Sequence, residues 1–273
     1  MKSKLSALPY IIWMAAFTII PLVLIVVFAF TTADGAFTFE NMTEIGKHMH
    51  VFLLSFRLAI IATIICFLIG YPLAYILSRA KPVSQRTMVM LLMLPMWMNF
   101  LIRTYAWMTI LENNGLLNRL FGLVGLGPFK MINTEGAVVL GMVYNFLPFM
   151  VLPLYTIMMK IDVSVIEAAQ DLGANSVNVF ARIIFPLSMP GIISGITMVF
   201  VPSVSTFIIS KMLGGGANML IGDLIQEQFI GGSYNPQLGS AMSLILMVVI
   251  LLVMSVINRM DDEDKEGMLI RKS

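Results

Sequence analysis

Long apolar stretches dominate this sequence. A helix that crosses a bilayer needs roughly 20 consecutive, predominantly apolar residues. Six stretches meet that requirement: about 10–30, 53–77, 88–111, 136–159, 190–213 and 238–257. Of all residues 59% are hydrophobic and 12% charged, whereas a soluble domain carries about 25% charged residues. The sequence therefore predicts an all-α integral membrane protein with a bundle of six transmembrane helices.

The placement of lysine and arginine predicts the orientation, because these residues are enriched on the cytoplasmic side of membrane helices. With the N-terminus inside, the inner segments hold Lys2, Lys4, Arg79, Lys81, Arg86, Lys160, Arg182, Arg259, Lys265, Arg271 and Lys272. The outer segments then hold Lys47, Arg119, Lys130 and Lys211. We therefore expect a multi-pass protein of the cell (plasma or inner) membrane with both termini in the cytoplasm.

The predicted bundle divides the chain into three parts. Residues 1–51 hold the N-terminal cytoplasmic tip, the first span and an outer loop, residues 52–258 the main transmembrane domain, and residues 259–273 a cytoplasmic tail. The net charge of +2 is small and the basic residues are dispersed, which argues against nucleic acid as a partner. The clustered methionines at 88–98 and the pair of histidines at 48–50 are interpreted as packing residues and a polar loop, so no metal site is predicted.

One polar segment, EAAQDLGANSVNVFARIIFP at 167–186, interrupts the apolar sequence on the predicted cytoplasmic side. Ser164 and Glu167 have the spacing of a capping box, which predicts a helix start, and Gly173 predicts its end. Asn175 or Ser176 can cap a second helix. We expect a short, rigid helix pair that docks a partner, with an ordinary amphipathic loop on the membrane surface as the alternative.

This segment resembles the EAA motif of ABC importer permeases, which reads E-A-A, three residues, G, nine residues, I-x-L-P. The matching positions are Glu167, Ala168, Ala169, Gly173, Ile183 and Pro186. The chain departs once, with Phe185 in place of Leu. Longer runs, LPMWMNFLIRTYAWMTILENNGLLN (94–118), YNFLPFMVLPLYT (144–156) and LGGGANMLIGDLIQEQF (213–229), are similar to spermidine/putrescine permeases of the PotB/PotH type.

The resemblance spans roughly Phe52 to Ile257 and implies the fold of a type I ABC importer permease. It implies that the segment 164–186 couples the chain to a cytoplasmic ABC ATPase dimer, that a second homologous permease completes the path, and that an extracytoplasmic polyamine-binding protein delivers substrate. ATP and Mg would be used by the ATPase alone. The chain itself has no G-x-x-x-x-G-K-[ST] loop, so we expect neither an enzyme nor a bound cofactor.

A route for a polyamine should offer carboxylates, aromatic faces and hydroxyls to a flexible polycation. Candidate route residues are Tyr105, Trp107, Tyr144, Ser203, Ser205, Thr206 and Phe207. Packing, interfacial anchoring and hydroxyls bonded back to their own helix are the alternatives. Glu112, Asp223 and Glu227 are candidates for the outer mouth, with solvated loop charges as the alternative. Arg57 and Arg103, both within predicted spans, are expected to snorkel or to pair with an outer carboxylate such as Glu112 or Glu227.

The substrate class has alternatives. Lys211 stands in the stretch between Pro202 and Gly214 where polyamine permeases of this type often carry an acid. Permeases for thiamine, sulfate, molybdate and iron also have EAA segments. An ion-coupled secondary transporter would require inverted repeats and buried acids, and the centres of the predicted spans contain no acid.

Overall fold

The computed structural model of the chain describes residues 8–270, which form helices joined by loops, with no strand among them beyond a single bridge between Thr31 and Phe37. The helices, numbered in chain order, are α1 (Leu8–Ala29), α2 (Glu40–Glu44), α3 (Met49–Arg79), α4 (Pro82–Met93), α5 (Phe100–Leu111), α6 (Leu116–Leu123), α7 (Glu135–Met158), α8 (Val163–Asp171), α9 (Ser176–Leu187), α10 (Met189–Ser205), α11 (Ile208–Leu213), α12 (Ile221–Ile230) and α13 (Pro236–Ile270). The all-α prediction is confirmed for these residues. Lys2, Lys4, Arg271 and Lys272, on which part of the orientation rested, lie outside them.

Four helices are long and apolar enough to cross a membrane: Leu8–Ala29, Glu40–Arg79, Glu135–Met158 and Pro236–Ile257. Two further helix pairs pass the same test only when their halves are joined across a bend. The bend is 88° between Pro82–Trp97 and Phe100–Leu123, and 64° between Ser176–Leu187 and Met189–Ser205. Six spans result if each bent pair is one span.

Two of the predicted spans are broken in the structure. The stretch 88–111 divides at Asn99, whose side chain accepts a hydrogen bond from the Leu101 amide at 2.9 Å and so starts α5 in a new direction. The stretch 190–213 divides at Thr206, where the backbone becomes extended (φ −65°, ψ 143°) and α10 ends. Hydropathy did not reveal either break, because most residues of the two stretches are apolar.

The centre of the bundle is formed by α3, α7 and α10, which pack against one another. Their contact surface buries a continuous cluster that includes Leu58, Met142, Met150, Leu154 and Val199. A second cluster joins α12 and α13 to the N-terminal half of α3. Helix α1 lies at the periphery, where it packs on α13 and leaves most of its apolar surface exposed. The core thus lies in the segment from α3 to α13, and α1 is an added helix on its side.

Candidate functional site

The segment 164–186, called the coupling segment after the role that the family resemblance implies, is preceded by a helix cap at Asp162. The Asp162 carboxylate accepts a hydrogen bond from the Ser164 amide at 3.0 Å, and this bond lowers the pKa of the carboxyl group. The predicted capping box of Ser164 and Glu167 is therefore wrong. Ser164 is already inside the helix, whereas Asp162 has the extended backbone of a residue that precedes the first turn.

The bend of the segment is held by Gly173. This glycine has φ +84°, and no atom lies within 4 Å of the place where a Cβ would stand. The Gly173 amide donates to the Gln170 carbonyl at 2.8 Å and the Ala174 amide to the Ala169 carbonyl at 3.0 Å, which closes the helix end. Asn175, one of the two predicted caps, then accepts from the Asn178 amide at 2.8 Å.

The helix pair rests on the bundle by a small apolar cluster. Val179 and Ile184 of α9 are buried with Ile161, and Ile166 and Ala169 of α8 pack against them. Of the positions in the EAA motif, Ile183 and Pro186 are also half-buried. These residues fix the segment to the bundle.

The opposite side of α8 is open. Glu167 and Ala168 are exposed, and so are the apolar side chains of Val165 and Leu172, of which Leu172 is 89% exposed. Positions 165, 168 and 172 follow one another at helical spacing on one face. We call Val165, Ala168 and Leu172 the exposed ridge. An apolar ridge that the chain leaves uncovered is typical of a protein contact surface.

The candidate aromatic residues are only partly brought together. The rings of Trp107 and Tyr144 meet edge to face, with centroids 5.4 Å apart. The guanidinium of Arg103 lies 5.9 Å from the ring centroids of both Tyr144 and Phe100. Tyr105 lies apart from this cluster and is 58% exposed. Trp107 also packs on the central core, and both rings are half-buried.

The hydroxyls near the end of α10 bond back to their own helix. Ser203 donates to the Val199 carbonyl at 2.7 Å and Ser205 to the Val201 carbonyl at 3.1 Å. Ser203 is fully buried and Thr206 is buried at the break, while Phe207 is exposed. The hydroxyls of Ser203 and Ser205 can therefore accept a hydrogen bond from a substrate but cannot donate one.

The three acids predicted at the outer mouth have different surroundings. Glu112 is exposed at the end of α5. Asp223 and Glu227 share one wall of a pocket of about 170 Å³ between α11 and α12. Asp223 is only 5% exposed, so the reading of a solvated loop charge does not apply to it. Burial raises the pKa of the Asp223 carboxyl group, and the nearby Ser210 hydroxyl, the Leu220 amide and the Lys211 ammonium partly oppose that rise.

In the described part of the chain, the predicted pairing with a carboxylate next to the spans is found for Arg57 but not for Arg103. Arg57 forms an ion pair with Glu135 at the start of α7, a carboxylate that hydropathy placed outside the span. Arg103 is buried, and within residues 8–270 it forms no ion pair with Glu112 or Glu227. Its charge faces the two aromatic rings instead. Long-range contacts of this kind leave no pattern in the sequence.

A protein-family model described as "Binding-protein-dependent transport system inner membrane component" matches residues 67–263. Among solved structures, a bacterial ABC transporter that imports the acidic polysaccharide alginate has a chain with a TM-score of 0.82 and 17% identity, covering 95% of this chain and 94% of that one. A chain of the MetNI methionine ABC transporter has a TM-score of 0.58 and 16% identity, covering 79% of this chain and 95% of that one. These structures establish the likeness of fold.

Two relatives are similar at the level of sequence. The spermidine/putrescine transport system permease protein PotB of Haemophilus influenzae is 39% identical over 257 residues, which cover 90% of each chain. The PotB protein of Escherichia coli is 38% identical over 254 residues, covering 89% of this chain and 92% of the relative. With the family match and the fold, these identities confirm the expected resemblance: the chain belongs to the family of binding-protein-dependent transport system inner membrane components, the permeases of ABC importers.

Proposed function

We propose that this chain is a transmembrane permease subunit of an ATP-driven importer of spermidine and putrescine. The observation that carries the substrate class is the 39% identity to a spermidine/putrescine permease along 90% of both chains. The aromatic pair Trp107 and Tyr144 and the two acids Asp223 and Glu227 are compatible with a polycationic substrate. The chain forms half of the translocation path and a second homologous permease forms the other half.

The coupling segment 164–186 contacts the ATPase and transmits its conformational change to the permease. The exposed ridge on α8 is an apolar surface against which an ATPase subunit can pack. Glu167 beside the ridge can form a polar contact with the same subunit. The segment continues through α9 into α10, and at that joint the hydroxyls of Tyr71 and Ser188 lie 2.9 Å apart in a buried hydrogen bond. A displacement of α8 therefore reaches α10 and, through the Tyr71 contact, α3. Both helices belong to the centre of the bundle.

The remaining features of the proposal follow from that assignment. The chain lies in the cell membrane with both termini in the cytoplasm. Residues 1–51, 52–258 and 259–273 act as a peripheral first span with its loop, the permease domain and a tail. A cytoplasmic ABC ATPase dimer binds ATP and Mg, and an extracytoplasmic binding protein delivers the polyamine.

The substrate is tested by uptake. The complete importer, reconstituted in vesicles with ATP inside, should accumulate labelled spermidine and putrescine. Labelled sulfate, molybdate and thiamine should not accumulate in the same vesicles. Omission of this chain should abolish the accumulation. Uptake of sulfate, molybdate or thiamine, with polyamine uptake at background, would contradict the proposed substrate.

The coupling role is tested separately by Glu167→Lys. Reversal of this exposed charge beside the ridge should lower recovery of the ATPase with the permease several-fold, because the new charge disturbs the contact. Asp34→Lys is the matched control, since Asp34 is equally exposed but lies in the loop after α1, away from the coupling segment. Equal ATPase recovery with both variants would argue against contact at Glu167.

A further inference from the structure

The pocket between α11 and α12 has the composition of a cation site. Its lining includes Lys211 from α11, and Asp223, Gln226 and Glu227 from α12. Ligand pockets for whole small molecules have volumes of about 300–1,000 Å³, whereas this one measures about 170 Å³. Its volume is enough for the ammonium end of an alkyl chain.

The wall of the pocket formed by α12 includes the carboxylate of Asp223, and within residues 8–270 only one of its two oxygens accepts a hydrogen bond from the backbone. Asp223 Oδ2 accepts a hydrogen bond from the Leu220 amide at 2.8 Å and so helps to start α12. Asp223 Oδ1 is buried and has no hydrogen-bond partner among the described residues. The hydroxyl of Ser210, which also lines the pocket, has one proton, which it donates to the Phe207 carbonyl at 3.0 Å or, after rotation, to Asp223. A buried carboxylate oxygen without a donor is costly, so a donor supplied by a ligand would be favoured there.

The rim provides the other groups that an ammonium ion requires. Glu227 and Gln226 are half-buried on the same helix as Asp223, one turn further along. Their carboxylate and amide oxygens can accept two of the three N–H groups of a primary ammonium, and Asp223 can accept the third. Lys211 is exposed at the mouth, and it forms no ion pair with Asp223 or Glu227 in the described part of the chain.

We propose that this pocket binds one primary ammonium end of the transported polyamine, with Asp223, Gln226 and Glu227 as acceptors. The proposal rests on the proposed polyamine function and adds a site for it. In the present conformation Asp223 Oδ1 is closed to solvent, so the bound form includes a rotation of the Asp223 side chain into the pocket. Lys211, the one basic residue among the described residues that line the pocket, competes with the ligand for the two carboxylates.

The site is tested with a probe that contains one ammonium group and no further polyamine feature. n-Butylammonium is titrated into the assembled permease–ATPase complex in lipid nanodiscs without binding protein, and binding is followed by NMR saturation transfer to the butyl protons. Asp223→Asn removes the charge but keeps an oxygen that can accept from the Leu220 amide. Asp34→Asn removes the same charge from an exposed loop and serves as the control.

We expect the wild-type complex and Asp34→Asn to bind the probe alike and Asp223→Asn to bind it at least tenfold more weakly, since hydrogen bonds to charged groups are the strong ones. Lys211→Met should bind as tightly as wild type or tighter, because a competing cation has been removed. Excess spermidine should displace the probe from the wild-type complex. Equal binding by Asp223→Asn and Asp34→Asn, or no binding by wild type, would overturn the proposed site.

Lys211 itself is the rival occupant of the pocket, and a double variant separates the two interpretations. If Lys211 were the true partner of Asp223, then Asp223→Asn together with Lys211→Met would restore wild-type uptake of spermidine, and our proposal would be refuted. If the pocket binds substrate, the double variant remains as defective as Asp223→Asn alone. Absence of spermidine uptake by the wild-type importer would instead refute the proposed function, while probe binding would still decide the site.

Discussion

Two glycines, Gly173 between α8 and α9 and Gly222 at the start of α12, are required for opposite reasons. Gly173 has a left-handed backbone and open space around it. Gly222 begins α12 with an ordinary backbone, and a Cβ there would lie 2.5 Å from the Ser205 carbonyl oxygen and 2.6 Å from that of Thr206. The first glycine is required by conformation, and the second by close approach of two segments.

This difference shows how the two ends of the permease are made. The coupling segment is shaped by local bonds: Asp162 and Asn175 cap its helices and Gly173 ends the first one. The break after α10 is shaped by distant residues. The Ile221 amide donates to the Ser55 hydroxyl of α3 at 2.8 Å, and Gly222 packs against the end of α10. A surface that docks a partner can be stiff by itself, whereas the break in the bundle depends on the whole tertiary structure.

The largest effect is expected from Gly222→Ala. The added methyl group meets two backbone oxygens, which cannot turn away as a flexible side chain would, and overpacking of this kind costs about 1–3 kcal/mol or more. We expect the midpoint of thermal unfolding in detergent to fall by roughly 5–10 °C and uptake to fall with it. Gly232→Ala is the control, because nothing lies within 4 Å of that position. A Gly222→Ala protein as stable as the control would remove the contrast drawn here.

An intermediate effect is expected from Gly173→Val. A β-branched residue is strained in the left-handed region by roughly 1–2 kcal/mol. The bend between α8 and α9 should therefore open, and the two helices should no longer be held rigidly relative to each other. The number of polyamine molecules imported per ATP hydrolysed should fall several-fold, with the protein still in the membrane. Gly173→Asn should stay near wild type because Asn tolerates positive φ. Equal losses with Val and Asn would show that position 173 must lack a side chain, and that its backbone conformation is not the requirement.

The smallest effect is expected from loss of the cap. Asp162→Ala should weaken the first turn of α8 by about 1 kcal/mol, which corresponds to roughly fivefold faster amide hydrogen exchange in that turn. Ser164→Ala should change it little, since the Ser164 side chain does not cap the helix. The reverse order of the two effects would restore the capping box that the sequence predicted.

Much of the coupling segment was predictable, because its structure depends on neighbours in the chain. Gly173 as a helix end and Asn175 as a possible cap are recognisable from residue type and spacing alone, and the EAA positions point to the family that the comparisons confirm. Even so, the cap of α8 was assigned two residues too late. Asp and Ser are comparable caps, and only the backbone conformation decides between them.

By itself, the sequence determined the membrane location of the bundle, its helical class, the family and the helix end at Gly173, since hydropathy, motif spacing and helix ends depend on residues close together in the chain. It did not determine the break at Thr206, the burial of Asp223, the ion pair of Arg57 with Glu135 or the place of Arg103 beside Tyr144. Each of these depends on residues from helices distant in the chain. Only the packing of α3, α5, α7, α10 and α12 brings those residues within reach of one another.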